Sequence, residues 1–508
     1  MFLDTSTILT GLADAMTIST LLFVLAGVTL GQVVGAVPGL SAPMAIAIAV
    51  PFTFALSPLA AIAFLIGVAK GGTVGGAVPA ILLNTPGTPD AAATAMDGYP
   101  LAKAGKPLKA MKMALFASLT GDTFSDIVLI LVAAPLAVVA LAMGPVEITA
   151  LITLSIAVIT GLVGPSMAKG LIAAGLGILC ASVGIDPEHG TPRLIFGNYN
   201  LYSGLPISAV AVGMLATGEI ITQLATRYHA GHSPLAISDD GPSGDRRVSW
   251  NEYWACRATM LRGAVIGTLI GALPGLGSTV ASFMSYGMAR SASNEPETFG
   301  KGNLHGIAAC ESANSAVMGA NMIPLLTLGI PGNVTAALII GAFMVQGVQP
   351  GPLLFQSQGQ LIYSLFGAMV IANLLNFLVG LVGLRIWARV ITAPSSVIFP
   401  LTLLLCVTGV YIAEGNVLAV WILIAFSILS VVMRIFDLPI VAFIIMFVLA
   451  NQFELSLSQA LTILDGDPTN LFEHPVALLL VAISLLSVWI FGIRLPSKAR
   501  KRAAALNT

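Results

Sequence analysis

The sequence predicts an all-α polytopic membrane protein, and three observations support this prediction. Of its 508 residues, 57% are hydrophobic and only 9% are charged, whereas a soluble domain carries about 25% charged residues. Long apolar stretches recur along the chain, and many have the roughly 20 residues that a helix needs to cross a bilayer. Two glycine and proline patterns occur once in each half. Together they predict about 12 transmembrane helices in two repeats, with re-entrant or broken helices at Pro-Gly motifs.

Composition also excludes several classes of function. The formal net charge of -1 argues against a nucleic-acid partner, which would require a basic excess. The cysteines are far apart in the sequence and form no CxxC pair, so neither a zinc site nor a disulfide framework is expected. We interpret them as small apolar residues of the core. They are Cys180, Cys256, Cys310 and Cys406.

The apolar stretches set the order of the elements. The first begins near Ile18, and only Asp4 and Asp14 are charged before it. Because the basic segment of a signal peptide is missing, a retained membrane helix is predicted there. The continuous apolarity of the stretches argues against a barrel, whose strands alternate in polarity. The predicted segments lie near 18–36, 42–68, 109–143, 146–163, 166–184, 205–226, 259–289, 310–328, 333–348, 361–391, 396–412, 416–433, 437–451 and 475–494.

Polar stretches divide the chain into four regions. Residues 1–226 form a first membrane repeat, 227–257 a polar linker, 258–494 a second membrane repeat, and 495–508 a basic tail. Because basic segments stay on the cytoplasmic side, the linker and the C-terminus are predicted to be cytoplasmic.

A glycine ladder that ends in Pro-Gly is the first repeated signature. Glycine at every fourth residue lets helix backbones approach closely. Proline and glycine at the end of the ladder then interrupt the helix. Each second-half glycine follows its first-half counterpart by 236 residues. The first ladder is Gly27, Gly31, Gly35 and Gly39 with Pro38, and the second is Gly263, Gly267, Gly271 and Gly275 with Pro274.

An apolar run between two prolines is the second repeated signature. It extends from Pro79 to Gly87 in the first half and from Pro324 to Gly332 in the second, an offset of 245 residues. Two different patterns that recur in the same order indicate a duplication. Irregular backbone at membrane depth is tolerated only where it is buried or lines a cavity, so paired interruptions point to a transporter site.

The distribution of basic residues predicts that the two repeats are inverted. The loop after the first proline signature carries four lysines, whereas its counterpart at 345–360 has no Lys or Arg. Between the two signatures, the second half carries Arg290 and Lys301, against the uncharged stretch 53–67. Matching loops are therefore expected on opposite sides of the membrane. The four lysines are Lys103, Lys106, Lys109 and Lys112.

The interrupted segments supply the candidate substrate- or ion-binding residues. Half-helix N-termini suit carboxylates, and freed carbonyls and hydroxyls suit Na+. The same Asn and Thr residues are also expected to cap helices. The candidates at the proline signatures are Asn84, Thr85, Pro86, Gly87, Thr88 and Asp90, with Gly329, Pro331, Gly332, Asn333 and Thr335. Those at the ladder ends are Pro38, Gly39, Ser41, Pro274, Gly275 and Ser278.

Charged residues within membrane segments are costly and therefore suggest function. Lys70 precedes the first proline signature and is predicted to attract an anion, unless it snorkels to the interface. Glu311 precedes the second, with Asn314 in the same ESANSA segment, and is predicted to bind an ion or carry a proton. Asp122, Asp126 and Glu219 are expected near segment ends or in structural pairs.

At this level of detail the chain resembles the large membrane subunit, TctA, of the tripartite tricarboxylate transporter family. The segments that carry the likeness cover nearly the whole chain. They include GAVPGLSAPMAIAIAVPFTF, ILLNTPGTPDAAATAMDGYPLAKAGK, GIDPEHGTPRLIFG, ESANSA and IPLLTLGIPGNVTAALIIGAFMVQGVQPGP.

The resemblance implies a bacterial inner-membrane permease that imports carboxylates with elevator-like alternating access. Its partners would be a small TctB-like membrane subunit and a TctC-like periplasmic solute-binding protein. Uptake would use an ion gradient, with Na+ as the first candidate and H+ as the alternative. No other cofactor is expected, and the sequence has no GxxxxGK[ST] phosphate loop.

Three other functions were weighed. A membrane enzyme is disfavoured because the sequence has no HExxH or GxSxG motif and its histidines are scattered. A channel would require no delivery protein. A sodium/proton antiporter would be expected to place a carboxylate in the crossing segments, where Glu311 and Asp90 fit loosely.

Overall fold

A computed structural model describes residues 5–85, 88–163, 166–226, 247–391 and 395–494. These ranges are almost entirely helical, as the sequence predicted. The strands found within them, β1 (Gly184–Ile185) and β2 (Pro192–Arg193), form a short antiparallel hairpin.

Most helices follow the predicted apolar stretches, but 42–68 is divided into helices at 42–49 and 58–83, and 259–289 into helices at 257–271 and 277–291. Short 3₁₀ or π segments interrupt them at 50–55, 199–201, 212–217, 296–298, 468–473 and 489–494. The α-helices of the first half are α1 (Thr5–Ala15), α2 (Ile18–Ala36), α3 (Ala42–Ala49), α4 (Pro58–Leu83), α5 (Ala91–Lys103), α6 (Pro107–Leu141), α7 (Pro145–Leu162), α8 (Met167–Ala181), α9 (Ile207–Ala211) and α10 (Gly218–Thr226). Those that follow are α11 (Trp250–Ala255), α12 (Arg257–Gly271), α13 (Gly277–Ser291), α14 (Leu304–Leu328), α15 (Val334–Val345), α16 (Leu354–Ser357), α17 (Gly359–Val390), α18 (Ser395–Glu414), α19 (Val417–Ile435), α20 (Ile440–Ile463) and α21 (Pro475–Val488).

Ten helices in the described ranges are long and apolar enough to cross a bilayer. Three shorter apolar stretches, 42–55, 167–181 and 334–345, accompany them. The prediction of a polytopic membrane protein is therefore confirmed. α14 is long enough to cross but is not among the ten, because it carries several buried polar residues. These are Glu311, Ser312, Asn314, Ser315 and Asn321.

The described residues form two compact units. The first unit comprises Met1–Ala137, Ile220–Leu273 and Gly277–Gly409, and the second comprises Val138–Glu219, Pro274–Leu276 and Val410–Thr508. Each unit therefore draws segments from both halves of the sequence. The division into repeats at 1–226 and 258–494 stays a prediction about the origin of the chain. The tail at 495–508 and most of the linker lie outside the described residues.

In the first unit, the first glycine ladder brings α2 against α4. A Cβ atom added at Gly27, Gly31 or Gly35 would overlap the carbonyl oxygen of a residue on α4. Glycines on α4 likewise face the backbone of α2. A Cβ at Gly67 would lie 2.8 Å from the Val24 carbonyl oxygen. The two backbones are therefore in direct contact, which only glycine permits. The α4 carbonyls involved belong to Phe64, Val68 and Gly72.

The second ladder brings α12 against α14 at equivalent positions. A Cβ at Gly267 would overlap the Ala313 carbonyl, and one at Gly271 would lie 2.9 Å from the Val317 carbonyl. Ala313 and Val317 follow Val68 and Gly72 by 245 residues, the offset of the proline signatures. The duplicated sequence patterns thus build the same helix contact twice.

Backbone conformations recur at the same offsets. Gly39 and Gly275, at the ends of the two ladders, have φ of 88° and 89°. Pro79 lies within α4 and Pro324 within α14. These helices end in left-handed residues, Asn84 with φ of 52° and Gly329 with φ of 71°.

The short helices after the proline signatures each pack against both halves. α5, from the first half, packs against α4 and also against α13 and α14 of the second half, whereas α15 packs against α14 and also against α3 and α4 of the first. This reciprocal packing is the pattern that a two-fold relation between the repeats would produce. It brings residues of both halves to one place.

The second unit is a helix bundle of its own. α8 packs on α7 and α20, α21 packs on α7, and α19 packs on the π segment at 212–217. Ion pairs join the helix ends, among them Glu147–His474, Arg193–Glu454 and Arg434–Glu219. Glu219 is thus in a structural pair, as expected.

The backbone contact between α2 and α4 gives a first test. Gly31→Val should lower the free energy of unfolding by about 1–3 kcal/mol or more, because the added atoms cannot be accommodated. The measurement is thermal unfolding of the purified protein in detergent. Gly175→Val is the control, since nothing lies within 4 Å of a Cβ at Gly175. Equal stability of the two variants would show that α2 and α4 are not in such close contact.

Candidate functional site

The two proline signatures end in tips that differ in exposure. In the second half, Pro331 and Gly332 are buried, and a Cβ at Gly332 would meet the side chain of Asn321 and the carbonyl oxygen of Gly271. Asn333 caps α15 by accepting a hydrogen bond from the Ala336 N–H at 2.9 Å. Thr335 is buried in the first turn of α15. This tip therefore combines helix capping with a tightly packed turn.

The tip of the first half leads into α5. Asn84 and Thr85 are exposed, and the Thr85 hydroxyl donates to the Leu83 carbonyl at 3.3 Å. Pro86 and Gly87 lie outside the described residues. Thr88 is buried against α4, where a Cβ at Gly76 would lie 3.2 Å from Thr88 Oγ1.

The Pro-Gly residues that end the two glycine ladders make separate contacts. Gly39 follows Pro38, and its carbonyl accepts a hydrogen bond from Gln223 Nε2 at 2.5 Å. Ser41 caps α3 by accepting from the Met44 N–H at 3.4 Å. Pro274 and Gly275 belong to the second unit, where Gly275 lies against Ile159.

Asp90 and Glu311 come together in the first unit, although they are far apart in sequence. Glu311 is fully buried on α14 and Asp90 is 8% exposed before α5. The two carboxyl groups are close enough to interact electrostatically. Thr94 Oγ1 donates to Glu311 Oε1 at 2.5 Å, and Ser118 Oγ donates to Oε2 at 3.3 Å. We call Thr88, Asp90, Thr94, Ser118, Ser278, Glu311 and Asn314 the carboxylate cluster.

Neutral polar side chains complete this cluster. Thr88, Ser278 and Asn314 face the Asp90 carboxyl group, and Asn314 also faces Glu311. Within the part of the chain that the structure describes, both amide atoms of Asn314 and the hydroxyl of Thr88 nevertheless lack a hydrogen bond of good geometry. Asn314 is 1% exposed and Thr88 is 4% exposed. Unpaired polar atoms at such depth are uncommon and require an explanation.

Lys70 belongs to a second buried polar group. Its ammonium lies 2.8 Å from Asp126 Oδ2, 3.3 Å from Asp122 Oδ1 and 2.6 Å from Asn373 Oδ1. Asn373 Nδ2 also donates to Asp126 Oδ2 at 2.8 Å. The Lys70 side chain is 1% exposed, so it does not snorkel to an interface here. Its ammonium is ion-paired with two carboxylates. That Lys70 attracts an anionic substrate stays a prediction. We call Lys70, Asp122, Asp126 and Asn373 the lysine cluster.

One face of α6 connects the two clusters. Ser118, Asp122 and Asp126 follow one another at four-residue spacing and therefore lie on the same side of the helix. The fit of α6 against α14 is tight, because a Cβ at Gly121 would overlap the Ser312 carbonyl. The expectation that Asp122 and Asp126 form structural pairs is confirmed by the lysine cluster. Thr94, Ser118 and Asn373 were not predicted from the sequence. The polar stripe on α6 was the available signal for Ser118.

Comparison with known proteins places the chain among transporters. The model of the tripartite tricarboxylate transporter TctA family matches residues 21–445. The chain is 34% identical over 497 residues to an uncharacterized 52.8 kDa protein in the TAR-I ttuC' 3' region of Agrobacterium vitis, covering 97% of this chain and 96% of that protein. It is 37% identical over 236 residues to an uncharacterized protein in the TAR-II ttuC' 3' region of the same organism, covering 46% of this chain and 97% of that protein. No solved structure matches the chain.

The lysine cluster gives a second test. Lys70→Met should cost about 3–5 kcal/mol of unfolding free energy, because two carboxylates would remain buried without their ammonium. Adding Asp126→Asn to Lys70→Met should recover part of that loss, as thermal unfolding of the single and double variants would show. The control is Lys169→Met, whose ion pair with Asp437 is exposed and should matter by no more than about 1 kcal/mol. A Lys70→Met protein as stable as Lys169→Met would contradict the buried network.

Proposed function

The chain belongs to the tripartite tricarboxylate transporter TctA family, and we propose that it is the large permease subunit of a binding-protein-dependent carboxylate importer. An ion gradient, with Na+ as the first candidate, drives uptake on this proposal. The observation that carries it is the carboxylate cluster, in which residues from the first tip meet residues from helices of both sequence halves.

The short helices after the tips support an anionic substrate. α5 and α15 each begin just after an interrupted segment, so their N-termini lie beside irregular backbone. The N-terminus of a helix carries a partial positive charge, which favours carboxylates. α5 and α15 pack against helices of the opposite half, so both N-termini belong to the same compact unit.

The chemistry of the buried side chains supports an ion as the driving force. Carboxylate, hydroxyl and amide oxygens in the carboxylate cluster are hard ligands that suit Na+. A proton on Glu311 is the alternative. Elevator-like alternating access follows from the resemblance, and its support is that the signature helices α2–α5 and α12–α15 pack into one compact unit.

The charge distribution supports a cytoplasmic linker and C-terminus. Lys109, in the lysine-rich loop, is ion-paired with Glu252 in the linker. The loop and the linker therefore lie on the same side, which the positive-inside rule assigns to the cytoplasm. A bacterial inner membrane, a small membrane subunit and a periplasmic solute-binding protein complete the proposal by likeness to the family.

Uptake into proteoliposomes tests the function directly. The vesicles would contain this chain and its small partner subunit, with the binding protein outside and a sodium gradient imposed or withheld. We expect saturable uptake of a labelled carboxylate that requires both the gradient and the binding protein. Uptake that follows a pH gradient and ignores sodium would assign the coupling to H+. Uptake without the binding protein would contradict a tripartite importer.

The second tip provides a variant for the same assay. Gly332→Leu should abolish uptake while leaving the protein in the membrane, because the new side chain would displace Asn321 and press on the α12 backbone at Gly271. Gly287→Leu is the matched control, since nothing lies within 4 Å of a Cβ at Gly287. Pro86→Ala is the companion change at the first tip. Normal uptake by Gly332→Leu would remove the tip from the transport pathway.

A further inference from the structure

We propose that the carboxylate cluster is a binding site for one sodium ion, with ligands from both halves of the chain. The proposal rests on the function proposed above and gives the coupling ion a location. Asp90 and Thr88 come from the first tip, whereas Glu311, Asn314 and Ser278 come from α14 and α13. Thr94 and Ser118 hold the Glu311 carboxylate from α5 and α6.

The hydrogen bonds to Glu311 favour its ionised form. Both of its oxygens accept from hydroxyl groups, those of Thr94 and Ser118. Hydrogen bonds of this kind stabilise a carboxylate and orient its remaining lone pairs.

The unpaired atoms are the independent observation that points to a ligand. Asn314 faces both carboxyl groups, yet among the described residues neither its amide oxygen nor its amide nitrogen makes a hydrogen bond of good geometry. The Thr88 hydroxyl, which faces Asp90, also makes no hydrogen bond of good geometry there. A buried polar atom is normally satisfied, and a cation that accepts lone pairs from Thr88 Oγ1 and the Asn314 amide oxygen satisfies these two.

The charge balance also requires a positive partner. Among the groups that act most strongly on Asp90 and Glu311, none is cationic, and each set consists of carboxyl, hydroxyl, amide and backbone groups. Burying carboxylates without compensation costs several kcal/mol each. In the lysine cluster, by contrast, the compensating charge is the ammonium of Lys70.

The ligand set fits a monovalent ion better than a divalent one. Ca²⁺ takes six to eight oxygens, often with several carboxylates, and Mg²⁺ keeps a near-octahedral shell with several waters. The carboxylate cluster offers two carboxylates and otherwise neutral oxygens. Within the described ranges, no group of three His, Cys, Asp or Glu residues is placed to hold a metal ion.

A sodium ion at this place would couple to the substrate through α5. Thr88 and Asp90 immediately precede α5, and Thr94 lies within its first turns. Binding of the ion would fix the start of α5 against α14. It would thereby also position the N-terminus of α5, which is proposed to favour the substrate carboxylate. Because such coupling is reciprocal, the substrate would raise the affinity for sodium by the same factor.

The test measures ion binding without transport. Thermal unfolding of the chain with its small partner subunit would be followed in NaCl, KCl and choline chloride at equal ionic strength. Sodium should raise the unfolding midpoint by about 2–4 °C in a saturable way, and choline should not. Glu311→Gln and Asp90→Asn should abolish this shift. Asp122→Asn is the matched control, because it alters a buried carboxylate of the lysine cluster and should keep the sodium shift.

Thr88→Val provides a variant that keeps side-chain shape and removes the hydroxyl. Loss of one ligand should weaken the apparent sodium affinity about ten-fold. A sodium shift that persists unchanged in Glu311→Gln, Asp90→Asn and Thr88→Val would overturn the site. So would a midpoint that responds to pH and not to sodium. A sodium-dependent rise of the unfolding midpoint without carboxylate uptake would refute the proposed function but not the sodium site. Sodium-independent carboxylate uptake without such a rise would refute the sodium site but not the proposed function.

Discussion

Direct contact between helix backbones holds the interrupted segments in place. α2 meets α4 at Gly27, Gly31 and Gly35, and α12 meets α14 through the second ladder. The two tips are the continuations of α4 and α14, so their positions depend on these contacts. Lipid offers no hydrogen bonds to a helix that stops within a bilayer, and protein must therefore surround each break. A pair of helices without intervening side chains provides a rigid base from which a short irregular segment can extend.

The sequence predicted the features that depend on local backbone geometry. Glycine spacing and Pro-Gly pairs predicted close helix packing and interrupted helices, but not the partner helices α4 and α14 or the left-handed residues Asn84 and Gly329. The sequence could not predict the partners of polar side chains, because hydrogen bonding between distant segments leaves no local pattern. Lys70 appeared as an isolated charge before a proline signature, and its partner Asn373 lies 303 residues away. Asp90 and Glu311 were both identified as candidates, but their proximity follows from the packing of α5 against α14, which no periodicity encodes.

Packing across the halves explains why one polar site draws on both of them. The start of α5 lies beside α4, where Thr88 is buried. Because α5 also packs on α13 and α14, Thr94 reaches Glu311 and Thr88 approaches Asn314. Duplication alone therefore gives two similar tips, whereas reciprocal packing makes them parts of a single unit.

The buried carboxylates of the two clusters on α6 are compensated in different ways. Asp122 and Asp126 face an ammonium that is covalently attached to α4 and cannot leave, which suits a permanent structural link. One turn away on α6, Ser118 donates a hydrogen bond to Glu311. The groups that act most strongly on the Glu311 carboxyl group include no fixed cation. A carboxylate in such surroundings is stable only while a mobile cation or a proton is present, since the cost of an unpaired buried charge is several kcal/mol. A transporter driven by an ion gradient requires a site of this second kind, because its counter-charge must exchange with solution. In the proposed transport cycle, the lysine cluster would therefore hold α4, α6 and α17 together while the carboxylate cluster loads and releases its ion.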